Sequence, residues 1–63
     1  MRYVLFREDP NTHKEVYLVG MLTTVPNRAS DPAVAIGFES ATDAYAFASR
    51  HQPYLDFWHV GLR

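Results

Sequence analysis

The stretch Ser40-Ala41-Thr42-Asp43-Ala44-Tyr45-Ala46-Phe47-Ala48-Ser49-Arg50-His51-Gln52-Pro53 decides how the rest of the chain is read. It predicts one helix near residues 40–51. Ser40 opens it as an N-cap whose hydroxyl can accept an orphan backbone N–H, and Asp43 sits where the helix dipole favours negative charge. Ser-x-x-Asp is a weaker capping box than Ser-x-x-Glu, because the shorter carboxylate reaches back less far. At about 100° per residue, Ala41, Ala44, Phe47, Ala48 and His51 share one face, with Tyr45 at its edge. Alanines around a single Phe make a flat stripe that lets a helix approach a sheet closely. Pro53 stops the helix, since the residue before a proline is pushed out of the α region.

The segment after the helix, Tyr54 to Leu62, alternates Tyr54, Asp56, Trp58, Val60 and Leu62 against Leu55, Phe57, His59 and Gly61. It predicts an aromatic closing strand. Toward the N-terminus, Tyr3–Phe6 and Val16–Thr24 are rich in β-formers and flank the turn chemistry of Asp9-Pro10-Asn11, which predicts a hairpin. Residues 25–35 carry Pro26, Asn27, Ser30, Asp31 and Pro32 and read as a loop. Val34, Ile36 and Phe38 alternate as a short strand or an extended lead-in to the helix. Gly20 and Gly61, inside strands, mark bulges or close backbone approach.

These elements predict an α+β fold in β-β-α-β order, a three-stranded antiparallel sheet, or four-stranded if the lead-in pairs, with one helix on one face. A right-handed crossover favours the spatial order 2-1-3, with the closing strand counted third. All 63 residues are expected to form one domain. A chain this short buries only about 60% of the surface it exposes when unfolded. Without cysteine it has no disulfides, so a dense aromatic core or self-association must compensate.

A half-buried antiparallel sheet should be apolar on one face and polar on the other. Here Tyr3 and Leu5 oppose Val4 and Phe6; Val16, Leu18 and Leu22 oppose Tyr17, Val19 and Met21; Trp58, Val60 and Leu62 oppose Leu55 and Phe57. One helix covers one face, so the expectation is a second apolar face available to a partner. Its candidate residues are Tyr3, Leu5, Tyr17, Val19, Met21, Leu55 and Phe57. The competing expectation is that residues 25–35 fold over it, packing through Val25, Val34 and Ile36.

Chemistry is thin. His13, His51 and His59 match no compact ligand spacing, so no metal is expected. No cofactor motif occurs, and none of Ser30, Ser40 and Ser49 stands in a nucleophile–base signature. Glu8/Asp9 and Glu39/Asp43 read as turn and helix-start residues. The expectation is therefore not an enzyme but a small protein-interaction module that acts by binding, as a homodimer or on a protein partner. Many phage- or mobile-element-encoded inhibitors work in that way, by occupying the surface of a larger host protein. The alternative is a single-stranded nucleic-acid binder that stacks bases on Tyr3, Tyr17 and Phe57, with Arg2, Arg7 and Arg63 near phosphates. The net charge of −1 argues against it. No apolar run is long enough for a signal-peptide core or a membrane span, which gives a cytoplasmic expectation.

Trp58 is the expected core anchor against Ala44, Phe47 and Ala48. Trp58→Ala should lower stability by about 3–5 kcal/mol, enough to unfold a domain of this size. An unchanged thermal melt would place the indole outside the core.

Overall fold

The computed structural model describes residues 2–63. Four strands and one helix follow one another as β1 (Tyr3–Glu8), β2 (Glu15–Leu22), β3 (Val25–Ala29), α1 (Ala41–Arg50) and β4 (His59–Leu62), with a single 3-10 turn at Pro32–Val34 before the helix. The sheet is antiparallel throughout, in the order β3-β2-β1-β4. The α+β class and the placing of β1 between β2 and the closing strand are as the sequence predicts. The fourth strand is not where the alternation of Val34, Ile36 and Phe38 suggested. It is β3, inside the stretch read as a loop.

The reason is that β3 is an edge strand. Pro26 lacks an N–H, which a central strand could not tolerate but an edge can. It stands opposite Met21, and Thr23-Thr24 close a tight β2–β3 hairpin between Leu22 and Val25. Thr23 carries the turn at φ 59°, a left-handed conformation that its branched side chain disfavours.

β2 contains a bulge. Leu18 pairs with Arg28 while Gly20 pairs with Asn27, which makes Val19 the extra residue. One extra residue inverts the side-chain phase beyond it. Met21 therefore joins Leu18 on the helix side and Leu22 turns to the other face, the reverse of simple alternation.

β1 and β2 pair only over Phe6–Tyr17, Arg7–Val16 and Glu8–Glu15. Beyond that they splay, and the lead-in segment fills the gap. Phe38 exchanges two backbone hydrogen bonds with Tyr3 (2.8 and 3.2 Å), and the Ile36 N–H donates to the Leu18 carbonyl at 3.0 Å. Val34 lies in the 3-10 turn, so the extended reading holds for Ala35–Phe38 as a lead-in and not as a full strand.

Ser40 caps α1, its hydroxyl accepting the Asp43 N–H at 3.1 Å. The helix lies on β1 and β4, burying Ala44 and Ala48, with Phe47 half-buried. It ends at Arg50, and residues 51–57 form successive turns where the sequence reading continued β4 back to Tyr54. Turns place side chains without a two-residue period. Leu55 and Trp58, assigned to opposite faces by alternation, both enter the helix-side core with Leu5, Val16, Leu18 and Ala48. Trp58 is 8% exposed there.

Ser40→Ala should lower the unfolding free energy by about 1 kcal/mol. Thr23→Gly should raise it by about 0.5–1 kcal/mol, because glycine relieves the left-handed strain at some cost in unfolded-chain entropy. Urea midpoints at neutral pH read both, and a destabilised Thr23→Gly would contradict the turn geometry.

Candidate interaction surface

The face away from the helix has a small apolar centre of Val4, Tyr17 and Ala35, with Phe6 packed against it. Two arginines and a glutamate cover it. Arg2 lies along Gly37, its side chain where a Cβ would stand, and its guanidinium donates to the carbonyls of Pro32, Ala33 and Ala35 at 2.9–3.1 Å. That clamps the 3-10 turn and holds Ala35 over the sheet. At the other end the Phe6 ring lies along Gly61, where an added Cβ would come within 2.7 Å of Phe6 Cε1. The Arg63 guanidinium sits 4.3 Å from the Phe6 centroid and makes two hydrogen bonds to Glu15, at 2.9 and 3.0 Å. The Tyr17 hydroxyl donates to the same carboxylate at 2.7 Å.

The stems of Arg2 and Arg63 thus shield apolar atoms while their charged heads reach solvent or acceptors. This face is largely closed by the chain's own side chains, through the 3-10 turn as well as the arginines. What stays open is its far end, beyond the bulge. There Leu22 and Val25, cross-strand partners, are 67% and 58% exposed, with Val19 exposed on the same hairpin.

The seven residues expected to form the second face do not form one surface. Leu5 and Leu55 are fully buried in the helix-side core, and Met21 packs against it. Tyr3 is half-buried and shares the helix side through its pairing with Leu62 and Phe38. Tyr17 does lie on the second face, but buried and bonded to Glu15. Val19 is exposed at the bulge, and Phe57 is 76% exposed in the turns after the helix. Tyr3, Tyr17 and Phe57 consequently present no common stacking platform. The reassignments have two causes, the bulge in β2 and the turns before β4.

On the helix side, a cleft of about 400 Å³ opens between the β3 edge and the turns after α1, lined by Arg7, Val25, Pro26, Arg28, Tyr54 and Trp58. Arg7 lies on this side because it follows Leu5 by two residues; Arg28 does because it pairs with Leu18. Periodicity could have found Arg7. Arg28 lay hidden in a segment that reads as a loop. Asp9 stands 3.9 Å from Arg28. The Asn11 N–H at 2.8 Å, aided by attraction to Arg28, holds the Asp9 carboxyl below its ordinary 3.8.

The histidines are dispersed. His13 Nδ1 contacts Glu8 at 3.1 Å, His51 packs on Phe47 at the helix end, and His59 lies against Phe6. Among the described residues no three His, Asp or Glu side chains gather as a metal site, and no helix is long and apolar enough to cross a membrane. Comparison with protein-family models, with curated proteins and with solved structures gives no match.

Hydrogen bonds from Arg63, then Tyr17, pull the Glu15 carboxyl below its ordinary 4.5, and the same carboxylate pushes the Tyr17 phenol above 10.0. A lowered folded pKa contributes stability that is complete above the unfolded value and is lost as pH falls through the folded one. Glu15→Gln should therefore be less stable at neutral pH and lose less stability on acidification below about 4.5. Asp9 leaves a residual acid dependence. Urea midpoints from pH 7 down to acid measure it, and parallel curves for the two proteins would contradict the Glu15–Arg63–Tyr17 cluster.

Proposed function

We propose that this chain is a small, non-enzymatic protein-interaction module that acts by binding, either to a second copy of itself or to a larger protein. The observation that carries the reading is the Leu22–Val25 pair with Val19. Large apolar side chains stand together at the one end of the second face that Arg2, Arg63 and the 3-10 turn leave open. Apolar surface of this kind gains about 25 cal/mol per Å² when covered.

Area sets the strength. A standard protein interface removes about 800 Å² from each partner. The whole accessible surface here is 4207 Å². The open end of one hairpin supplies only part of that area, so self-association belongs in the weak, micromolar class and not among obligate dimers. A larger protein that wraps further round the hairpin would bind more tightly. Occupying a host protein's surface in this way is how an inhibitor of the phage-encoded kind acts, with no chemistry needed beyond complementarity.

Sedimentation velocity across the micromolar range should show a concentration-dependent increase in mass that Leu22→Glu abolishes. Leu22 is exposed, so the substitution leaves the fold intact. A wild-type chain that stays monomeric and captures no protein in a Leu22-dependent way would overturn the reading.

A further inference from the structure

Arg7 and Arg28 differ from the arginines of the second face. Arg2 and Arg63 each spend their guanidinium on several acceptors within 3.1 Å. Among the described residues Arg7 makes no side-chain hydrogen bond, and its Nε is buried without a partner. Arg28 has only the loose 3.9 Å contact with Asp9, which already accepts from the Asn11 backbone. A guanidinium is an acceptor-seeking fork that cannot shed its charge, and leaving a buried N–H unpaired is costly. Both residues line the same cleft, whose other walls include Pro26, Tyr54 and Trp58.

We propose that this cleft seats a glutamate or aspartate side chain from an acidic segment of a protein partner. The carboxylate lies between Arg7 and Arg28, and a neighbouring apolar side chain rests on Pro26 and Tyr54. This deepens the binding reading and rests on it. The charge argument selects a single carboxylate: two guanidiniums offset by Asp9 leave one net positive charge in the cleft. A nucleic-acid strand fits less well. Trp58 is almost wholly buried, which leaves Tyr54 as the single half-exposed ring at the cleft rather than a stacking platform, and the chain as a whole is net negative.

The test uses the 63-residue chain in ¹H–¹⁵N NMR, observing the arginine Nε–Hε groups and the Trp58 indole. The probe is the blocked peptide acetyl-Leu-Val-Glu-Val-Leu-amide, with its Gln-for-Glu counterpart and inorganic phosphate as separate arms. The acidic peptide should give saturable shifts at Arg7 and Arg28 with millimolar or better affinity, weakening with salt. The Gln peptide and the Arg28→Gln variant should each bind at least about tenfold more weakly. Arg28 is exposed enough that an unchanged indole signal verifies the fold, and Arg7→Lys supplies a second, charge-preserving variant that should weaken binding less than Arg28→Gln. The proposal is overturned by equal binding of the two peptides, by shifts that map elsewhere, by phosphate binding as tightly as the acidic peptide, or by no saturable shift. If those results come with intact Leu22-dependent association, the cleft assignment alone has failed. If the association is also missing, the binding reading has failed with it.

Discussion

Three backbone hydrogen bonds hold the molecule's arrangement together: the two between Tyr3 and Phe38, and the one from Ile36 to Leu18. β1 and β2 part after three residue pairs, and the exposed polar backbone left by that splay must be satisfied. The lead-in to the helix does so while delivering Ile36 and Phe38 to the helix-side core and Ala35 to the opposite face. It also sets where Ser40 begins α1. Without that stitch, the helix would have no defined starting point and Ala35 would leave Val4 and Tyr17 to solvent.

The two faces solve the shortage of material differently. On the helix side, the ten helical residues lie mainly on β1 and β4, and the segment after the helix completes the covering by bringing Leu55 and Trp58 to Val16 and Leu18 of β2. On the other side there is only the single 3-10 turn, which brings Ala35 over Val4 and Tyr17 and leaves the rest to side chains. Arg2 and Arg63 lie flat across glycines 37 and 61, where any side chain would displace them or Phe6. Long cationic stems thus do the covering that a second helix would do in a larger domain. The hairpin end and the cleft stay outside both coverings, and the proposed binding surfaces lie there.

Local chemistry alone made much of this legible. The Ser40 cap, the alanine stripe, the Pro53 stop, the first hairpin and the position of β1 between β2 and the closing strand all follow from contacts within a few residues or from a general handedness rule. The marker of the bulge, Gly20, was visible too. The candidate surface was not legible, because it depends on face assignment. A single extra residue at Val19 exchanged Met21 with Leu22, and turns in place of a strand sent Leu55 and Trp58 to the same side.

The sequence by itself determined which elements exist and that apolar residues exceed what one helix can cover. Both are properties of short windows and of composition. Only the tertiary structure decided which residues are covered and by what. A residue's face depends on the accumulated register of every pair before it, and Arg2 and Arg63 find their acceptors on Pro32, Ala33, Ala35 and Glu15, which are distant in the chain.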